Sequence, residues 1–309
     1  MGREFVIEAR GLVKRFADVV AVKGIDVLVE EGEIYGLLGP NGAGKTTTIR
    51  MICGLIRPTR GTVRVFGYKM PEERIKASRL IGYVTQHTSL YEDLTVYENL
   101  MFYASVYGLR GSEKRRAVEE ALDRFLLREF KDKMVGKLSG GTVKRVSLAV
   151  SMVHNPKLLI LDEPTAGVDP KLRRVFWDMF RELSREGLTL LVTTHYMDEA
   201  ENCDRISLML GGRIVVTGTP DEVKRMAMGG DVVEVTFRKP VVEEDVRRVG
   251  GVKSVEWIGD RGVRARVVVE DAEEFLANLL KADWLEVAVA AKADVSLEEA
   301  FLRIEGAVG

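Results

Sequence analysis

Residues 39–47 read Gly39-Pro40-Asn41-Gly42-Ala43-Gly44-Lys45-Thr46-Thr47. They follow the compact apolar run Ile34-Tyr35-Gly36-Leu37-Leu38 and precede a helical stretch to about Cys53. Glycines at this density let successive backbone N–H groups turn inward around an anion, at the positive end of the following helix. The spacing fits a phosphate-binding loop, in which Lys45 neutralises the β- and γ-phosphates and the Thr46 hydroxyl binds Mg2+. A tight glycine turn with a solvated lysine is the plainer alternative, and the strand–loop–helix setting argues against it. Two later apolar runs, Leu158 to Leu161 and Leu188 to Thr193, suit the buried parallel strands of an α/β sheet.

Around this centre the texture of the chain varies. The first thirty residues alternate apolar and polar, broken by Gly24 and Gly32, and predict several short antiparallel strands. Residues 90–155 read as almost entirely helical, so a helical insertion sits inside the α/β domain. Asp169-Pro170 predicts a helix with a side-chain cap and Pro at its first position, its apolar stripe being Val175, Phe176, Met179, Phe180 and Leu183. After Gly230 the order becomes strand, helix, strand, strand, helix, strand, the pattern of a small ferredoxin-like domain, with a last helix carrying Leu297, Ala300, Phe301 and Ile304. The predicted division is 1–228 and 229–309, with a helical subdomain at about 89–155.

Bulk properties exclude several classes. A net charge of −1 supplies no field to draw the chain onto nucleic acid or an anionic membrane. The longest run free of Asp, Glu, Lys and Arg is twelve residues, Leu80 to Tyr91, against the roughly 20 apolar residues of a spanning helix. No secretory signal is visible. Cys53 and Cys203 show no metal spacing and read as reduced, buried residues of an intracellular protein.

Two further segments carry chemistry. Leu158-Leu159-Ile160-Leu161-Asp162-Glu163 is a buried strand ending in two acids, which is costly unless a cation or hydrogen bonds compensate. Beside a phosphate loop, Asp162 reads as a Mg2+ partner and Glu163 as the base that polarises an attacking water. Leu138-Ser139-Gly140-Gly141-Thr142 opens a helix, where Ser-Gly-Gly makes a second oxyanion cradle.

In that order, GPNGAGKTT, LSGGT and LLILDEP resemble the nucleotide-binding domain of ABC transporters. The resemblance covers roughly residues 4–225 and extends to smaller motifs. Gln86, the only glutamine, falls at the family's Q-loop, and Leu94 to Leu100 is similar to the stretch after it. Ala166-Gly167-Val168-Asp169 resembles the D-loop, and Thr193-Thr194-His195 the segment of the switch histidine. Phe16 falls where an aromatic ring stacks on adenine, with an ordinary core aromatic as the alternative. His195 has a structural histidine as its alternative, and His87 and His154 read as packing or surface residues. Two departures stand out: Thr142 where the family usually has Gln, and Val168 where Leu is common.

The resemblance implies a P-loop NTPase of the ABC type: a mixed sheet core, an antiparallel β subdomain, a helical subdomain and the small C-terminal α+β domain. It implies a head-to-tail dimer of ATP-binding subunits, most simply a homodimer. ATP and Mg2+ would lie on Gly39–Thr47 of one subunit, closed by Ser139, Gly140, Gly141 and Thr142 of the other. Thr46, Asp162 and Gln86 would attend the metal, Glu163 would orient water, and His195 would contact the γ-phosphate. The partners implied are an integral-membrane permease and a second ATP-binding subunit, not nucleic acid, and the place is the cytoplasmic face of the membrane. Thr194 to Glu201 and Val215 to Val223 are similar to the branch that works with separate permeases and often exports drugs, lipids or polysaccharides. A cassette acting on ribosomes or DNA is a rival, opposed by the single cassette and the near-neutral charge. A regulator that binds nucleotide without hydrolysis is another, opposed by Glu163.

Overall fold

The computed structural model describes residues 5–86, 88–259 and 262–308, and His87 lies outside them. Its contacts divide the chain into two compact units, Met1–Thr217 and Gly218–Gly309.

The first unit opens with β1 (Phe5–Phe16) and β2 (Val19–Glu30), joined by a two-residue turn. These are two long strands and not the several short ones that the glycine breaks predict. Gly11 and Gly24 both take positive φ, and the β1–β2 register shifts between Ala9 and Leu12 and between Leu12 and Val13. The glycines are bulges that bend continuous strands, as an extra unpaired residue does. β3 (Ile34–Leu38) leads into helix α1 (Lys45–Ile52). β4 (Arg60–Val65) and β5 (Tyr68–Lys69) then complete an antiparallel sheet of order β2-β1-β4-β5.

The second sheet takes β6 (Ile81–Val84), β7 (Leu158–Asp162), β8 (Thr189–Thr194), β9 (Arg205–Leu210) and β10 (Arg213–Gly218) together with β3. Its order is β10-β9-β3-β8-β7-β6, with β9, β3, β8, β7 and β6 running parallel. β3, β7 and β8 are buried along their whole length, which is why they read as unbroken apolar runs. Ile49, Met51 and Ile52 of α1 share one core cluster with Val27, Val29, Val63 and Val65 of the first sheet and Leu158 and Ile160 of the second. That cluster fixes the phosphate-loop helix between the two sheets.

Four adjacent strands, β6, β7, β8 and β3, end on the same edge because they are parallel. Their last residues, Val84, Asp162, Thr194 and Leu38, deliver Gln86, Glu163, His195 and Gly39 to one region, although the chain separates these by up to 156 positions. Ligand crevices of open α/β sheets lie at such carboxyl ends.

α2 (Arg74–Ala77) comes just before β6, and between β6 and β7 lie α3 (Val96–Val106), α4 (Gly111–Arg124) and α5 (Gly140–Met152). α3 starts with a reciprocal capping box between Thr95 and Glu98. Asn99, fully buried, accepts from the Tyr91 amide at 2.9 Å and donates to the carbonyls of Tyr91 (2.9 Å) and Thr95 (3.0 Å). One side chain thus ties the loop leaving β6 to the insertion. α6 (Pro170–Arg185) is capped by Asp169 with Pro at N1. Its buried face is Phe176, Trp177, Phe180 and Leu183, so Trp177 replaces Val175, which is exposed. α7 (Met197–Ala200) follows β8.

The second unit holds α8 (Pro220–Met228), β11 (Asp231–Phe237), α9 (Glu243–Arg247), β12 (Val252–Trp257), β13 (Arg264–Val269), α10 (Ala272–Leu279), β14 (Val287–Lys292) and α11 (Leu297–Val308). The antiparallel order β12-β13-β11-β14 is that of a ferredoxin-like sheet. Val233, Val235 and Phe237 of β11 bury against Val246, Phe275 and Leu279, while Val232 joins Val268 and Met228 in a separate cluster.

Replacing Asn99 by Leu leaves several buried backbone groups without partners, and each such loss costs about 1–3 kcal/mol. Asn99→Leu should lower unfolding stability by about 2–4 kcal/mol, read from the denaturation midpoint, with secondary structure retained by circular dichroism.

Candidate functional site

The loop from Gly39 to Gly44 is shaped by backbone that only glycine tolerates. At Gly39, with φ of 149°, a Cβ would stand 2.2 Å from the carbonyl oxygen of Met209 on β9. α1 begins after Gly44, also at positive φ, with neither a side-chain cap nor an acid in its first turn. Its first N–H groups are left for an external acceptor, the arrangement that favours an anion. A cleft of about 360 Å³ lies here, lined by Asn41, Gly42, Lys45, Thr46, Gln86 and Glu163 among others.

Lys45 is 4% exposed and donates to the carbonyls of Gly39 (2.7 Å) and Pro40 (3.1 Å). Its ammonium also lies 3.2 Å from Oε1 of Glu163. The other oxygen, Oε2, accepts a long 3.4 Å hydrogen bond from Gln86 and lies 3.2 Å from Nδ1 of His195. That imidazole nitrogen is buried and its geometry makes no hydrogen bond. One buried carboxylate is therefore ringed by a lysine, a glutamine and a histidine drawn from three other segments.

Glu163 stands at φ 50°, the left-handed region that costs an L-residue about 1–2 kcal/mol. β8 holds it there: the Glu163 amide donates to both the carbonyl (3.2 Å) and the hydroxyl (3.0 Å) of Thr193. Thr193 pairs with Asp162 across the β7–β8 ladder, and its hydroxyl donates to Oδ1 of Asp162 at 2.8 Å. The Thr46 hydroxyl donates to the same oxygen at 3.1 Å. Burial pushes the Asp162 carboxyl above the ordinary aspartate range, and the bonds from Thr193 and Thr46 pull back against that. On α5, burial holds Lys144 below the ordinary lysine value, with the Glu163 charge acting the other way.

The remaining predicted positions lie apart from this cluster. Among the described residues, no hydrogen bond or ion pair joins Ser139, Gly140, Gly141 or Thr142 to it. Ser139 caps α5, and the buried Thr142 hydroxyl sits 2.9 Å from the Ser139 hydroxyl, so this threonine is turned inward. Asp169 caps α6 by accepting from the amides of Lys171 and Leu172. Phe16 is 47% exposed, with Lys14 Nζ 4.9 Å from its ring centre, which removes the core-aromatic reading. His154 is a packing residue: it stacks on Tyr107 at 3.5 Å, lies 3.2 Å from the Ile81 carbonyl, and is pushed down to about 4 by burial. Thr193 is the residue to which the sequence, naming it only as part of Thr193-Thr194-His195, gave no role. The doublet Thr193-Thr194 at the end of an apolar strand was the available signal for it.

The comparisons with known proteins agree with this geometry. The sequence pattern of the family described as ABC transporter matches residues 22–166. The probable multidrug ABC transporter ATP-binding protein YbhF of Escherichia coli is 43% identical over 240 residues, 78% of this chain and 42% of that protein. The chain thus spans under half the length of that relative. The daunorubicin/doxorubicin resistance ATP-binding protein DrrA of Streptomyces peucetius is 37% identical over 307 residues, 97% of this chain and 92% of its own. Among solved structures, a dimeric post-hydrolysis state of the ATP-binding cassette MJ0796, bound to ADP and Pi, superposes with a TM-score of 0.64 at 27% identity, covering 69% of this chain and 98% of that one. Kinship at this level, running through both units, makes the chain a member of the ABC transporter family.

Proposed function

We propose that this chain is an ATP-hydrolysing subunit that energises a separate membrane-embedded permease, in the direction of export. The observation that carries the reading is the Glu163 carboxylate held between Lys45 and His195 at the mouth of the phosphate loop. A triphosphate entering the cleft offers Lys45 a stronger partner than the carboxylate does, since it brings several negative oxygens to the loop amides at once. Glu163 is then freed to accept a proton from water as the water oxygen bonds to the γ-phosphorus and the bond to ADP breaks. Nδ1 of His195, which lies 3.2 Å from Glu163 without a hydrogen bond, suits a γ-phosphate oxygen. Gln86, in reach of Glu163, links the cleft to the helical insertion. Phe16 offers an exposed ring for the adenine.

The residues fit Mg2+. Thr46 and Asp162 supply hard oxygen donors side by side, with Gln86 in the cleft. Among the described residues no group of three or more His, Cys, Asp or Glu forms a metal cage. That is the usual Mg2+ pattern, one or two protein oxygens plus substrate phosphates. When bound, the ion neutralises charge on the β- and γ-phosphates.

Among the described residues lining the cleft, none comes from Ser139, Gly140 or Gly141 at the start of α5. We assign them, with Thr142 behind Ser139 and Asp169 on the D-loop, to the ATP of a second cassette, as the dimeric state of MJ0796 supports. Export is supported by relatives named for multidrug transport and for daunorubicin/doxorubicin resistance. No helix among the described residues is long and apolar enough to cross a membrane. The permease is therefore assigned to other chains, with this subunit at its cytoplasmic face.

Two measurements test this reading. Glu163→Gln should bind ATP as wild type does while its turnover falls about 100-fold or more, the contribution of a positioned general base; normal turnover would sink the assignment. The second concerns Asp162, whose raised carboxyl adds stability only while protonated. That contribution is full below the ordinary value of 3.8 and is lost as pH rises through the shifted value, above which burial makes the charge a cost. Both of its hydrogen bonds land on Oδ1, and asparagine retains that oxygen. Asp162→Asn should therefore raise the melting temperature of the protein alone by a few degrees at pH 7, on the order of 1 kcal/mol. The gain should shrink toward pH 4, and the variant should lose the further stabilisation that ATP with Mg2+ gives wild type.

A further inference from the structure

A second buried carboxylate lies behind the cleft. Glu199 of α7 is 2% exposed, and each of its oxygens is taken by a different strand-end hydroxyl. Thr165 donates to Oε1 at 2.6 Å and Thr194 to Oε2 at 2.7 Å. Arg173 Nε lies 3.3 Å from Oε1, while its guanidinium sits 4.0 Å over the ring of Tyr196 and 3.6 Å from Asp198. The Thr194 hydroxyl in turn accepts from the Tyr196 amide at 3.0 Å.

The places of these partners are informative. Thr165 is two residues beyond Glu163, Thr194 immediately precedes His195, and Arg173 is on the first turn of the helix that Asp169 caps. For fold stability alone an ion in this position is a poor choice, since well-packed apolar groups do as well or better. What the carboxylate does that an apolar side chain cannot is hold two loops from neighbouring strands at fixed hydrogen-bond distances from one rigid group. We infer that Glu199 is a positioning residue that sets His195 against Glu163, with Arg173 carrying the same constraint to the D-loop helix. The inference rests on the reading of Glu163 and His195 as acting groups. Misplacement of such groups by about 1 Å costs on the order of 100-fold in rate.

The test is steady-state ATP hydrolysis by the full chain with Mg2+, comparing wild type with Glu199→Ala, Glu199→Gln, His195→Ala and the Glu199→Ala/His195→Ala double variant. Glu199→Ala should lower kcat at least about 10-fold with KM for ATP within about 3-fold of wild type. Glu199→Gln, which keeps one acceptor oxygen and the side-chain shape, should recover a substantial part of that loss. The double variant should be no slower than His195→Ala alone, because residues that act as a unit are not additive. Wild-type kcat in Glu199→Ala, or losses that multiply in the double variant, overturns the inference. Wild-type turnover by His195→Ala overturns the underlying assignment of His195, and the inference with it, a result read from a different variant. If Glu199→Ala does not fold, Thr194→Val decides in its place: it removes one of the two hydroxyl contacts at nearly constant volume, and unchanged kcat there counts against the role.

Discussion

Two carboxylates at the end of an apolar strand set the terms for this molecule. Asp162 and Glu163 close β7 at 1% and 6% exposure, where an uncompensated charge costs several kcal/mol. Every compensating group comes from elsewhere in the chain. Thr46 and Lys45 arrive from the loop after β3, Thr193 and His195 from β8, and Gln86 from beyond β6. The parallel sheet makes this possible, since only strands running the same way bring their outgoing loops to one edge. The seating of α1 in the core shared by the two sheets then keeps Lys45, its first residue, at that edge.

Much of this could be read in one dimension because the chemistry needs particular residues at a particular spacing. Gly39 to Thr46 is legible as a loop because its glycines answer to a steric demand, shown by the 2.2 Å approach at Gly39. The strands β3, β7 and β8 are legible as buried because both of their faces are covered. What escaped reading depends on adjacency across the sheet. Thr193 is an ordinary β-former in sequence, and only the β7–β8 register, Asp162 opposite Thr193, turns its hydroxyl into a support for both acids. Gly11 and Gly24 punctuate a sequence in the same way whether they end a strand or bend it, and the pairing partner decides. Trp177 was passed over for Val175 because both fit a helical period, and the burial of Phe176 and Phe180 chose between them.

The second unit was legible for a simpler reason and for less purpose. Its strands alternate cleanly because one face of each meets helices, and β11 shows the split, with Val233 and Val235 on one side and Val232 on the other. Its charged residues pair among themselves, Arg266 with Glu234 and Glu299 for example. These pairs are only partly buried, and each contributes modestly. Among the described residues of this unit, none converges on a buried, costly group of the kind found at the end of β7.

That contrast bears on how stability and activity divide in the first unit. Glu163 sits in a disfavoured backbone region, and burial raises the carboxyl of its neighbour Asp162 above the ordinary aspartate range. Both are conditions a stability-optimised sheet end would avoid. They persist because rigid partners over-determine them: the Glu163 amide donates to two oxygens of Thr193, and two hydroxyls donate to a single oxygen of Asp162. Glu199 extends the same device one layer back, with Thr165 and Thr194 fixed to one carboxylate. An acid that is strained or desolvated and tightly held is poised to gain from a cation that enters with the phosphates. The binding energy of such a ligand can relieve in the bound state what the fold bears without it.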